Sequence, residues 1–196
     1  MVPRFLGSFT LLLLCLSATS LAAQTNISGN ASVTTSYVSS WETLSAVNDG
    51  YEPSSSGDKS HGAYGNWQQN VTNKWNWVQY TFSSYYKISR SDVYWWTDGG
   101  GIALPYDCKL EYLDPGSQTW KSVPNPDGLG VKGDQYNTTT FDTILTKQIR
   151  ISFVSTAAQG ILEWKVFGEI GEQLPEGSVS YTASLVKGDT TTIRVY

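Results

Sequence analysis

The 196-residue chain is poor in the groups that most enzymes and metal sites use. It has one His and two Cys, and only 15% of its residues are charged. One His leaves no material for a His-based metal cluster, and any His-dependent nucleophilic catalysis would rest on His61, for which no nucleophile is evident. Basic residues are also scarce: 13 Lys and Arg stand against 17 Asp and Glu, a formal net charge of −4. That balance argues against nucleic acid as a partner, because phosphate backbones are held by clustered positive charge. Gly-x-Ser-x-Gly, His-Glu-x-x-His and Cys-x-x-Cys are all missing. Gly128-Leu129-Gly130-Val131-Lys132-Gly133 matches Gly-x-Gly-x-x-Gly literally. It follows Pro124-Asn125-Pro126-Asp127 rather than a strand, however, and leads into strand-like Thr138-Thr139-Thr140-Phe141 rather than a helix. The setting of a pyrophosphate cradle is therefore absent. A glycosidase needs two facing carboxylates. Asp98, Asp107 and Asp114 are available, but Asp in loops usually forms turns, and the chain reads as non-catalytic.

What the chain does have is aromatic surface: eight Trp and twelve Tyr, with Phe making 13% aromatic residues in all. Weak charge combined with many flat rings suits stacking on an uncharged ligand.

Residues 1–23 read as a secretory signal peptide. Arg4 supplies the basic start, Leu11-Leu12-Leu13-Leu14-Cys15-Leu16 the apolar run, and Ser20-Leu21-Ala22 a small-x-small cleavage site. The run is shorter than the roughly 20 residues a membrane span needs, although retention as an anchor is the alternative. The expectation is a secreted, extracellular protein with no transmembrane segment. Cleavage after Ala22 would remove Arg4, taking the net charge from −4 to −5, and would remove Cys15. Cys108 would then stand alone, so no internal disulfide could form. Its place beside Leu110 and Tyr112 in the alternation predicts a buried, inert thiol. Sequons occur at Asn26, Asn30, Asn70 and Asn137, which in a eukaryotic host are surface acceptor sites.

After the leader the pattern is one of short strands and turn residues, with no helical stripe. Strands are predicted at 76–82, 91–96, 107–113, 119–123, 147–154 and 161–167. Val78, Tyr80 and Phe82 share one face of the first, and Ile149, Ile151 and Phe153 point inward from the fifth. The fold class is all-β, an antiparallel β-sandwich over residues 25–170. Three long loops stand out: Gly50 to Asn66, Thr97 to Tyr106 and Pro124 to Tyr136. Loops at one end of a rigid sandwich usually carry the site. Residues 171–177 read as a linker. Residues 178–196 either form a β-hairpin that packs on the main domain or begin a second β module, since a lone hairpin is marginal in water.

Ala46-Val47-Asn48-Asp49-Gly50, then Trp67, then Trp77-Val78-Gln79-Tyr80-Thr81-Phe82 resemble the opening of a coagulation-factor 5/8 type C (discoidin-like) domain. Cys108 to Tyr112 with Thr119-Trp120-Lys121, Gln148 to Ile151, and Leu162 to Gly168 resemble its later strands. The resemblance spans residues 30–170 and includes the carbohydrate-binding branch, carbohydrate-binding module family 32. Val93 to Gly101 with Leu104-Pro105 is similar to the version appended to secreted glycoside hydrolases. It implies a jelly-roll, galactose-binding-like sandwich. It also implies a non-catalytic carbohydrate-binding module for polysaccharide or glycan ends, working beside a glycoside hydrolase. A discoidin-like adhesion module for protein or lipid, or an ancillary fragment of a hydrolase, are the alternatives. The family's structural Ca²⁺ would fall to side chains of Asp49 and Glu163 and backbone carbonyls of Ala46 and Tyr51, with Gly65-Asn66 where the family has a Thr ligand. A hard cation takes six to eight oxygens of this kind.

For the sugar, the candidate contacts in or beside the loops are Trp96, Asp98, Trp67, His61, Tyr64 and Tyr106. Sugar recognition needs an aromatic platform and polar groups for hydroxyls. Trp77, Trp95 and Trp164 read as core. Alternation separates Trp95 from Trp96, which predicts one inward and one outward ring.

Overall fold

The period-two segments predicted at 76–82 and 147–154 are the spine of the molecule. Val78, Tyr80 and Phe82 are all buried, as are Ile149, Ile151 and Phe153, and the two runs pair directly, Val78 against Ile151 and Tyr80 against Ile149. The computed structural model describes residues 24–68 and 71–172. The leader at 1–23, Asn70, most of the linker and the 178–196 tail lie outside the described residues.

Eight strands follow in order: β1 (Thr25–Asn26), β2 (Ala31–Thr35), β3 (Tyr64–Gly65), β4 (Asn76–Trp96), β5 (Asp107–Leu113), β6 (Trp120–Ser122), β7 (Tyr136–Val154) and β8 (Gly160–Ile170). Two short 3₁₀ turns, Ser28–Asn30 and Leu44–Asn48, complete the described structure. The segments predicted separately at 76–82 and 91–96 belong to one 21-residue strand, β4. Likewise the strand-like Thr138–Phe141 stretch and 147–154 join in β7. The intervening Ser and Tyr residues bend the chain through register shifts, between Thr81 and Tyr86 and between Ile88 and Arg90, without breaking the ladder.

This antiparallel ribbon is folded over on itself. A straight 21-residue strand would reach roughly 65–70 Å. Yet Trp95, near the C-terminal end of β4, packs edge-on against Phe153 with centroids 5.6 Å apart, and Phe153 pairs with Asn76 at the strand's other end. The first half of β4 and the second half of β7 therefore form one layer with β2, β5 and β6. The second half of β4 and the first half of β7 form the facing layer with β8, which carries β1 and β3. This is the antiparallel sandwich that the patterning implied.

The layers meet on stacked aromatics. Tyr80 of β4 stacks on Trp164 of β8 at 4.1 Å and 22°. The Tyr80 hydroxyl proton serves the carbonyl oxygens of Val47 (2.8 Å) and Trp164 (2.7 Å), and Trp164 Nε1 donates to Ser91 Oγ. Trp95 and Trp164 are core residues as expected, but Trp77 is not. It alternates out of phase with Val78 and lies half-buried on the outer face. Cys108 is buried, and burial pushes its thiol up to about 12, which keeps it protonated and unreactive at neutral pH.

Asn137 corrects a sequence expectation. It is buried, its Nδ2 donates to Lys132 O at 2.8 Å, and its Oδ1 accepts from Lys132 N at 2.9 Å. A folded chain offers no glycan acceptor there, whereas Asn26 and Asn30 are exposed.

Tyr80→Phe removes the hydroxyl from between two buried carbonyls. It should lower stability by about 1–2 kcal/mol, read as a lower urea midpoint at unchanged m-value.

Candidate functional site

Folding the ribbon brings both ends of β4 and both ends of β7 to one end of the sandwich. The three long loops sit there and are tied together. Thr97 N bonds Ser56 O at 2.9 Å, Ser56 N bonds Asp134 Oδ1 and Asp134 N bonds Ser56 Oγ, both at 2.7 Å. Tyr106 N bonds Val154 O at 3.0 Å, and Asn66 N bonds Gln159 O at 3.1 Å. Beneath the loops a buried amide cluster pins three segments: Asn66 Nδ2 donates to Gln159 Oε1 at 2.7 Å and Asn76 Nδ2 to the same oxygen at 3.3 Å. The Gly128–Gly133 segment closes the edge of the core. Gly130 O accepts from Trp95 Nε1 at 3.0 Å, and Leu129 and Val131 pack on the core, so its glycines serve packing.

Neither Trp95 nor Trp96 faces outward, contrary to the expectation from alternation. Trp96 is only 4% exposed. It does point to the face opposite Trp95, but that face carries its own apolar cluster of Ala63, Val71, Tyr94, Ile102, Ala158 and Leu162. Gly160 makes room for the ring: a Cβ there would lie 2.4 Å from Trp96 Cε3 and 2.8 Å from Tyr64 O. The Lys59 ammonium, paired with Glu42, sits 4.7 Å from the Trp96 ring centroid. Tyr64 is likewise fully buried, and its hydroxyl donates to Tyr37 O at 3.0 Å. These two expected ligand contacts are structural supports under the rim.

Trp67 is different. It is 53% exposed, and its ring lies flat enough on Gly101 that a Cβ there would fall 1.6 Å from Trp67 Cζ3. Asp98 organises the same loop, with Oδ1 accepting from Gly100 N (2.8 Å) and Ile102 N (2.9 Å), on either side of Gly101. The structure thus brings Trp67 and Asp98 together. Tyr106, 58% exposed, follows at the end of that loop. His61 is exposed on the neighbouring loop and stacks on Tyr51 at 3.9 Å and 12°. Asp58 holds that loop by accepting from Ser60 Oγ (2.6 Å), Ser54 Oγ (2.8 Å) and Tyr51 Oη (3.1 Å), and the Ser60 and Ser54 donors hold its pKa well below the usual carboxylate range.

Sequence reasoning missed Trp41 and Trp75, 81% and 48% exposed. Trp41 stands in the polar run Ser39 to Thr43, where no alternation buries it, and that polarity was the available signal.

Glu163 lies under the loops, on β8, with no exposed surface. Its Oε2 accepts from Gly50 N at 3.3 Å, while Oε1 is buried without a partner. Burial pushes its carboxyl up to about 8; the Gly50 N–H pulls downward and neighbouring Asp49 adds to the rise. Among the described residues no group of three or more His, Cys, Asp and Glu converges. A cation here would use the two carboxylates together with backbone carbonyls.

The division between buried and rim Trp is testable with two glycines. Gly160→Ala forces a Cβ into Trp96 and backbone, and should cost about 2 kcal/mol or more. Gly101→Ala meets only the outer end of a movable Trp67 and should cost less than about 1 kcal/mol, both read by urea unfolding.

The same architecture recurs in solved structures. A chain of the Streptococcus pneumoniae β-galactosidase BgaA superposes with a TM-score of 0.60 at 20% identity, covering 70% of this chain and 91% of that one. The family 32 module of C. perfringens NanJ, solved in complex with galactose, gives 0.58 at 12% identity over 74% of this chain and 98% of that one. Chitosan-binding module 1 of a Paenibacillus sp. IK-5 chitosanase/glucanase gives 0.54 at 17% identity over 74% and 99%. These likenesses establish a shared fold. The family profile of the F5/8 type C domain matches residues 30–166, and with the folded sandwich and its loop rim in view, the chain belongs to the F5/8 type C domain family.

Proposed function

We propose that this chain is a secreted, non-catalytic carbohydrate-binding module that receives a glycan on the loop rim. The observation that carries the reading is the exposed Trp67 ring, held on Gly101 beside Asp98. The apolar C–H face of a sugar ring stacks on Trp67. The Asp98 Oδ2, which makes no hydrogen bond among the described residues, accepts from a hydroxyl. Tyr106, at the end of the Asp98 loop, and the His61–Tyr51 stack on the 50–66 loop offer further aromatic surface. The NanJ module bound to galactose and the chitosan-binding module support carbohydrate as the ligand class. Work beside a glycoside hydrolase is supported by relatives that derive from such enzymes. Among the described residues no helix is long and apolar enough to cross a membrane, and secretion rests on the leader-like residues 1–23.

Affinity at an open rim is modest, and avidity between linked copies or partners would raise it. Highly exposed Trp41 is the one feature that favours the adhesion reading, in which a loop tip contacts protein or lipid. The rim carboxylates Asp58, Asp98 and Asp134 oppose an anionic surface.

On a glycan array read beside anionic vesicles, the chain should bind glycan. Trp67→Ala should weaken binding about tenfold or more with an unchanged melting midpoint. Vesicle binding with silence on glycans would favour adhesion instead.

Calcium is common in the family, and the residues here fit it: Glu163 offers an orphaned buried oxygen next to Asp49. We infer that Asp49 and Glu163 side chains with Ala46 and Tyr51 carbonyls would hold the ion. It would neutralise both acids and tie the 44–51 segment to β8. The pH sign follows. The folded-state pKa of Glu163, about 8, lies above its ordinary 4.5, so the native state binds the extra proton between those values. With chelator present, stability should fall as pH rises from about 4.5 to 8. Added Ca²⁺ should restore the melting midpoint at pH 8, and Glu163→Gln should abolish both effects.

A further inference from the structure

The end of the sandwich opposite the loop rim carries a second polar pocket. There β4 and β7 bend, and Tyr85, Leu113, Pro115, Gln118, Lys147 and Gln148 line a half-open cavity of about 90 Å³. The described chain also leaves the sandwich here, with Gly171 N bonding Tyr85 O at 2.9 Å.

Several polar groups of this pocket have no protein partner among the described residues and are open to solvent. Among the described residues, Lys109 and Arg150 pair with Glu111 and Lys121 with Asp114, whereas Lys87, paired through its backbone with Leu145, has no carboxylate partner. Lys147 has no carboxylate partner among the described residues; its ammonium lies 4.9 Å over the Tyr85 ring. Gln148 Oε1 accepts from Gln79 Nε2 at 3.0 Å, which leaves the Gln148 amide hydrogens without an acceptor. Gln118 Nε2 donates to Pro115 O at 2.7 Å, which leaves Gln118 Oε1 without a donor. Asp114, in the turn beside Pro115, is fully engaged: Oδ1 accepts from Ser117 N (2.7 Å) and Gly116 N (3.1 Å), and Oδ2 from Lys121 Nζ (2.8 Å). The turn is further fixed by Gln118, whose backbone sits at φ +52° with its N–H on Asp114 O at 2.9 Å.

One cation, one amide donor and one amide acceptor thus converge over the apolar edges of Leu113 and Pro115. We propose that this pocket binds the carboxylate of an acidic sugar, a hexuronate residue, at a site separate from the loop rim. The carboxylate lies against Lys147 Nζ and Gln148 Nε2. A charge-assisted contact of this kind is roughly twice as strong as a neutral hydrogen bond. A neighbouring ring hydroxyl donates to Gln118 Oε1, and the sugar's C–H edge meets Pro115 and Leu113. The cavity is well below the roughly 300–1,000 Å³ that encloses a drug-sized ligand, so it receives one sugar residue and leaves the rest of a chain in solvent. Neutral sugar supplies no counter-charge to Lys147 and gains little there.

Amide chemical shifts of the ¹⁵N-labelled full chain, followed during titration with galacturonate, glucuronate or galactose, test this assignment. Both uronates should shift the amides of Gln118, Lys147 and Gln148, while galactose should leave them in place. Lys147→Met keeps the aliphatic stem over Tyr85 and should weaken the uronate response about tenfold or more, with an unchanged melting midpoint. Trp67→Ala should leave that response intact, so loss of rim binding and loss of this site are read separately. Silence at these amides overturns the proposal, as does a response that survives Lys147→Met. An equal response to acetate or to a glutamate-containing tripeptide overturns the assignment to sugar.

Discussion

The folding-over of the β4–β7 ribbon is the constraint on which the rest of the molecule depends. One continuous antiparallel pair supplies the centre of both layers, so the bend sets their spacing and fixes which residues meet across the core. The contacts that hold the bend closed are aromatic: Trp95 on Phe153, and Tyr80 stacked on Trp164 with its hydroxyl on two backbone carbonyls. Such pairs combine large buried area with preferred geometry, and here they join residues far apart along the ribbon. The bend also collects four strand ends at one pole, which is why the long loops form a single rim.

Two populations of aromatic residue follow from that arrangement. Trp95, Trp164 and Tyr80 are closed off from solvent in the core, and so is Trp96, which a second apolar cluster covers on what would otherwise be an open face. Trp41, Trp67 and Tyr106, outside the strands, are exposed. Trp67 lies against Gly101, in the loop that the Asp98 turn braces. A ring that rests on backbone and is half open to solvent offers flat area for stacking, which suits a shallow site with few polar contacts.

Much of the fold was legible in the sequence because strand alternation is a local signal. The inward set Val78, Tyr80, Phe82, Ile149, Ile151 and Phe153 could be read directly, as could the three loops and the burial of Cys108. What could not be read was the covering of a face by chain distant in sequence. Alternation correctly placed Trp95 and Trp96 on opposite faces, yet the residues that bury Trp96 include Ala63, Val71, Ile102, Ala158 and Leu162. Asn137 fits a glycan sequon letter for letter, but the turn at Lys132 to Gln135 consumes its amide. Trp77 shows the converse error. Its neighbours belong to the core, and its own place in the alternation puts it on the outer face. Trp41 had only a polar neighbourhood as its signal, and the unpaired polar groups around Lys147 depend on turns that no short motif encodes.

Ligand is expected to reach Trp67 on the rim while Trp95, Trp96 and Trp164 stay sealed. The most direct measurement follows the indole N–H signals of the eight Trp as galactose-containing oligosaccharide is added. The account predicts that the Trp67 indole shifts with saturating dependence while Trp95, Trp96 and Trp164 do not move. A shift at Trp96 with Trp67 unchanged, or no indole shift under a glycan that demonstrably binds, would contradict it.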